Sequence, residues 1–138
     1  MNTSKAREIA FKVLYEMEVR GAGEHTGSPL QMHIEEEQLG DKASGFVSFI
    51  VNGVYENNVR YNDIIKANLK DWKFDRVSKL SLAAIKLALF EIENNDKINE
   101  NIAIAEAIKL TAKFEGEEAA GFVNGILGSY IRNELERR

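Results

Sequence analysis

Residues 77–92 read VSKLSLAAIKLALFEI. Leu80, Leu82, Ala84, Ile85, Leu87, Ala88, Leu89, Phe90 and Ile92 are spread around the whole helical circumference, not along one stripe. A helix that is apolar nearly all round is a buried one. Sixteen residues interrupted by Lys79, Lys86 and Glu91 are too short and too charged to span a bilayer. The stretch therefore predicts a central core helix, wrapped by the helices before and after it. Lys79 and Lys86 read as snorkelling ends of that helix.

Outward from this stretch, the periodicity stays helical. Toward the N-terminus, Ala6, Ile9, Ala10, Val13, Leu14 and Met17 recur at three- and four-residue steps through about Arg20, with Thr3 or Ser4 as the expected cap. Gly21, Ala22 and Gly23 should end that helix, and residues 21–29 read as a surface loop. Pro29 suits the first turn of a short helix capped by Ser28. Glu35, Glu36 and Glu37 on it form a solvated face. Asp41 or Ser44 starts a long helix with Phe46, Phe49, Ile50, Gly53, Val54 and Asn57 in its stripe. A further one follows, capped by Asn58 or Asn62, with Tyr61, Ile64, Ile65, Leu69 and Trp72 at helical spacing. Residues 72–76 turn the chain into the central helix.

Beyond the central helix, residues 94–97 form a helix-ending loop. Ile98 before Asn99 reads as an apolar residue preceding an N-cap. Ala103, Ala107, Ile108, Leu110 and Phe114 then face inward, and Gly116 breaks the helix. Glu117 and Glu118 favour a helix first turn, and Phe122, Val123, Ile126, Leu127, Tyr130 and Ile131 line the last helix. No stretch alternates with period two. The expected class is all-α, about seven helices, too irregular for a plain four-helix bundle.

Composition bounds the function. The chain of 138 residues is the length of one domain and can bury roughly two-thirds of its unfolded surface unaided. There is no cysteine, so no disulfide framework, thiolate metal site or cysteine nucleophile, which fits a reducing cytoplasm. Charges throughout residues 1–20 argue against a secretory signal. The net charge of −4 speaks against indiscriminate coating of nucleic acid. Even so, residues 57–90 hold seven Lys or Arg (Arg60, Lys66, Lys70, Lys73, Arg76, Lys79, Lys86) against three Asp. No glycine-rich phosphate loop, HExxH or GxSxG is present. His25 and His33 fall in the least patterned segment, where a catalytic histidine would lack a rigid frame. Adjacent Glu117 and Glu118 cannot face each other across a substrate. The residues alone describe an all-α interaction domain with a modest basic patch, no catalytic or metal site and no cofactor.

Three fragments carry a resemblance: Ala6, Arg7 and Glu8 with Leu14 and Tyr15; Ile85 to Ile92 in the central helix; and AIAEAIKL at 103–110, then Phe114, then FVNGIL at 122–127. Gly53, Val54, Asp63, Leu69, Trp72 and Arg76 match between them. In this order and spacing they resemble the NusB transcription antitermination family. The match spans most of the chain apart from residues 21–44 and the last ten. The resemblance implies a NusB-like fold of two small perpendicular helical bundles, about residues 1–72 and 73–138. It implies a protein that is not an enzyme. Such a protein binds boxA-type single-stranded RNA together with NusE, a ribosomal small-subunit protein, and joins the RNA polymerase elongation complex to suppress premature termination, notably in ribosomal RNA transcription. It works in the cytoplasm, as monomer or homodimer.

The resemblance further implies RNA contacts at Lys5, Arg7, Glu118, Phe122 and Asn124, and partner contacts at Tyr15 and Ser81. Four of these have a structural alternative. Lys5 and Arg7 also suit pairing with Glu8, although cations at a helix start oppose the dipole. Phe122 shares a stripe with Ile126, and Tyr15 pairs with Phe11 at i,i+4. Gly121 and Gly125 suit the close approach of another helix. The chain departs from the family pattern where Asn2, Thr3 and Ser4 replace an arginine cluster, where Ser81 replaces an acidic residue, and where Ala119, Ala120 and Gly121 replace polar ones. Fewer phosphate contacts mean weaker, less salt-sensitive RNA binding. A protein-binding or self-associating helical module with little intrinsic RNA affinity is the alternative function.

Overall fold

The computed structural model describes residues 1–21 and 27–137. Seven α-helices and one 3-10 turn make up the described residues, with no strand. They are α1 (Thr3–Arg20), α2 (Gly27–Glu36), α3 (Asp41–Glu56), α4 (Asn58–Ala67), α5 (Lys79–Asn94), α6 (Glu100–Phe114) and α7 (Glu117–Arg137), with the 3-10 turn at Phe74–Arg76 before α5. The all-α expectation and its seven helices hold. Residues 22–26, which include Ala22, Gly23 and His25, lie outside the described residues, and so does the expected capping role of the Ser28 side chain.

The central helix is α5, two residues later at each end than the sequence pattern indicates. Every residue from Ser81 to Glu91 is buried, because α1, α3, α4, α6 and α7 all pack on it. Ser78 caps it, its hydroxyl oxygen accepting from the Ser81 amide at 3.0 Å. Helix α1 carries the expected stripe inward and is capped by Asn2, whose side chain accepts from the Lys5 amide at 3.1 Å, not by Thr3 or Ser4. Asn99 caps α6 as expected, accepting from the Ile102 amide at 3.0 Å. Gly116 ends α6 with φ +112°, a conformation that L side chains rarely adopt.

One contact fixes how closely α3 meets α5. A Cβ built on Gly53 would stand 2.0 Å from Cε1 of Phe90, whose ring also meets Phe49 edge-on at 4.9 Å. A hydrogen in place of a methyl group is what admits the ring. The α3–α4 break comes at Asn57, which ends one helix and precedes the next, and Asn62 lies inside α4.

A helix buried all round must also bury its polar residues, and α5 does so with partners from outside. Arg7 of α1 grips Glu91 with two hydrogen bonds, Nε to Oε1 at 2.5 Å and Nη2 to Oε2 at 2.9 Å. Asn95 donates to the same carboxylate at 3.0 Å, and Glu106 of α6 stands 3.6 Å from Nη1 of Arg7. Lys86 does not snorkel. It is 1% exposed, and its ammonium donates to Glu18 of α1 and to Asn58 of α4, the latter at 2.7 Å. Burial drives its pKa below the ordinary lysine value, with the Glu18 charge working the other way. Lys79, by contrast, is exposed.

Candidate RNA and partner surfaces

The expected site residues divide into those that meet in one groove and those that do not. The turn Phe74–Arg76, the start of α5 and the start of α7 enclose an open groove of about 350 Å³. Its lining includes Trp72, Arg76, Ser81, Glu115, Glu118 and Phe122. Phe122, half-buried, sets its ring 6.4 Å from that of Trp72, tilted at 49°. Trp72 is 52% exposed. The groove thus offers two aromatic faces, an exposed guanidinium and an exposed carboxylate at Glu118.

Ser81 lies in this groove but is 2% exposed. Its hydroxyl donates to Glu115 at 3.3 Å and the Ser78 hydroxyl donates to the same carboxylate at 2.6 Å. A carboxylate held at the start of α5 is favoured by the helix dipole. Ser81, expected as a partner contact, is a buried floor residue whose hydroxyl is engaged by Glu115.

Arg7 requires a larger correction. It is 3% exposed, so no phosphate reaches its guanidinium. Burial opposes its charge, but the hydrogen bonds and charge of Glu91 and the charge of Glu106 outweigh it, and its pKa is raised. Lys5, in the first turn of α1, is exposed. Asn124 is exposed too, and two residues along a helix place it about 200° round from Phe122, away from the groove. Gly121 and Gly125 meet no other helix: a Cβ at either would have nothing within 4 Å.

Tyr15 is exposed on α1, the helix whose Leu14, Met17 and Glu18 line a second cleft. Leu14, Met17 and Glu18 of α1, Val54 and Tyr55 of α3, Val59 of α4 and Lys86 are among the residues enclosing about 330 Å³ there. Tyr15 is 36% exposed, Val19 57%, Tyr55 40% and Val59 75%. Apolar side chains left this open, Tyr55 and Val59 of them in the cleft itself, suit a protein partner better than a nucleic acid.

Sequence reasoning placed Trp72 in a helical stripe and so missed it as a groove residue. Helix α4 stops at Ala67, where Asn68 turns its amide back onto the Ile64 carbonyl at 2.8 Å. Asp71 then takes φ +57°. The usable signal was the asparagine and aspartate before the tryptophan, both residue types that favour turns. Among the described residues no cluster of His, Asp or Glu is placed to hold a metal ion. No helix among them is long and apolar enough to cross a membrane.

Against known proteins, the NusB family model matches residues 4–132. The transcription antitermination protein NusB of Acetivibrio thermocellus is 32% identical over 135 residues, covering 98% of this chain and 92% of the relative. NusB of T. maritima superposes with a TM-score of 0.86 at 26% identity, covering 96% of this chain and 92% of that one. A chain in the crystal structure of antitermination factors NusB and NusE in complex with double-stranded RNA shares the fold, with a TM-score of 0.82 at 24% identity, covering 96% and 99%. With its central α5, its closing AIAEAIKL and FVNGIL segments and a match over nearly its whole length, this chain belongs to the NusB family.

Proposed function

We propose that the chain is a non-catalytic antitermination subunit that binds boxA-type single-stranded RNA jointly with NusE. The pair joins the RNA polymerase elongation complex and suppresses premature termination. The observation that carries this reading is the family match over residues 4–132. The two-ring groove of Trp72 and Phe122 suits it physically. Single-stranded RNA can splay a base onto an aromatic face, a contact worth ~1–3 kcal/mol.

The residues take distinct roles in this reading. Phe122 and Trp72 receive a base, Lys5 and Arg76 face phosphates, and Asn124 offers an amide to a base edge. Glu118 repels phosphates at the groove rim and so limits how the strand lies. Tyr15 and Val19, exposed on α1, and Tyr55 and Val59 of the second cleft face NusE. Arg7 and Ser81 support these surfaces from within: Arg7 fixes α1 on α5, and Ser81 helps seat Glu115 in the groove.

The test is transcription through a terminator placed behind a boxA leader, with purified polymerase, NusE and this protein. Read-through that rises with this protein, and only on templates with intact boxA, supports the reading. Read-through that is indifferent to boxA or to the protein refutes it.

A further inference from the structure

Phe114 closes α6 and was expected to point inward, yet it is 38% exposed. Its ring leans on buried Phe11 of α1, with centroids 5.5 Å apart. Two ammonium groups lie near it, Lys113 at 5.2 Å and Lys12 at 5.9 Å from the ring centre. Both lysines share one carboxylate. Glu8 takes Lys113 at 2.7 Å and Lys12 at 3.7 Å. Two cations on one anion leave a net positive charge beside an open ring, on a chain whose total charge is −4. Lys5 lies on the same α1 face as Glu8 and Lys12, at steps of three and four residues, and is exposed.

We propose that this α1–α6 face is a second RNA contact, separate from the Trp72–Phe122 groove. In it Lys12 and Lys113 bind two phosphates and the Phe114 ring receives a base. It rests on the RNA-binding reading above. The chemistry favours a nucleic acid strand over an acidic peptide, because an anion alone needs no exposed flat apolar ring beside the two cations. A strand brings phosphate and base together. Lys5 continues the track toward the start of α1. Glu8 holds both ammonium groups in place in the free protein and competes with the incoming phosphates.

The experiment titrates boxA single-stranded RNA into the protein with NusE present, over a range of salt concentrations. It uses the wild type, the double variant Lys12→Gln with Lys113→Gln, and the single variants Phe114→Leu, Glu8→Gln and Phe122→Leu. Each phosphate contact on a single strand contributes about 0.7 to the salt slope, so losing two makes the log–log plot shallower by about 1.4. At 0.1 M salt that is about a 25-fold weaker affinity. Phe114→Leu keeps an apolar contact with Phe11 but removes the π face, and should weaken binding about fivefold or more. Glu8→Gln should tighten it. Lys12 and Lys113 are partly open side chains, so the double variant should keep the wild-type denaturation curve. If the double variant keeps the wild-type slope while Phe122→Leu weakens binding, the second contact is wrong and the groove stands. If the double variant loses NusE and not RNA, the face belongs to a protein partner and the inference falls. If the wild type binds no RNA, both readings fall.

Discussion

Replacing Arg7 by alanine separates a buried strut from a surface contact. In the folded protein the guanidinium is almost fully enclosed and donates twice to Glu91, itself 2% exposed. The substitution leaves that carboxylate buried, with Asn95 as the hydrogen-bond donor it keeps. Removing one partner of a buried ion pair typically destabilises by about 3–5 kcal/mol. That is a large share of the ~5–15 kcal/mol that holds a domain together. With a urea slope of ~2 kcal/mol/M, the midpoint should fall by roughly 1.5–2.5 M. Urea denaturation followed by circular dichroism measures it. The paired change Arg7→Met with Glu91→Leu removes both charges and should recover most of the loss, because apolar replacement of a buried pair is often neutral or stabilising. RNA affinity of the folded fraction should stay close to wild type. A variant with an unchanged midpoint and much weaker RNA binding would refute the buried-strut assignment.

Three further outcomes follow from the packing of α5. Gly53→Ala forces a Cβ into the Phe90 ring. It should cost about 1–3 kcal/mol or more as overpacking, read as a lowered urea midpoint; an unchanged midpoint would mean the α3–α5 approach is looser than described. Leu87→Ala empties a site that is 1% exposed and should cost about 2–5 kcal/mol. Unchanged stability with lost partner binding would make α5 an interface instead of the core. Glu93 accepts from Arg60 twice at 2.8 Å and from Tyr61 at 2.6 Å. Chiefly because of the Arg60 hydrogen bonds, its pKa lies below the ordinary carboxylate value, burial opposing the shift. Its stabilising effect is therefore complete above the unfolded-state pKa and is lost as pH falls through the lower folded-state value. Glu93→Gln should flatten that acid limb of the stability profile while leaving other carboxylates to titrate; an unaltered limb would remove Glu93 from the account.

How much the sequence revealed depended on whether the signal was local. Helix α5 was legible because its apolar residues surround its axis, and the Asn99 cap and Gly116 break were legible from residue type and place. Arg7 was not, because its partner Glu91 is 84 residues away. Physics still left a clue: a helix buried all round that contains Lys86 and Glu91 requires opposite charges elsewhere, and α1 carries Glu18 and Arg7. Phe114 was misread because periodicity gives a face but not where a neighbouring helix stops covering it. Gly121 and Gly125 look the same in sequence whether a helix packs on them or solvent does. Of the expected site, Ser81, Glu118 and Phe122 gather in one groove, Lys5, Asn124 and Tyr15 lie exposed elsewhere, and Arg7 is interior.

The central claim is joint recognition of RNA by this chain and NusE, and coupling between the two ligands tests it most directly. Fluorescence anisotropy of labelled boxA RNA gives the affinity of this protein with and without saturating NusE, beside a scrambled RNA of equal length. Linkage requires that any factor by which NusE tightens RNA binding also be the factor by which RNA tightens NusE binding. The expected result is RNA binding strengthened at least fivefold by NusE, about 1 kcal/mol of coupling, for boxA and not for the scrambled strand. Equal affinities with and without NusE, or equal affinities for the two RNAs, would contradict the account.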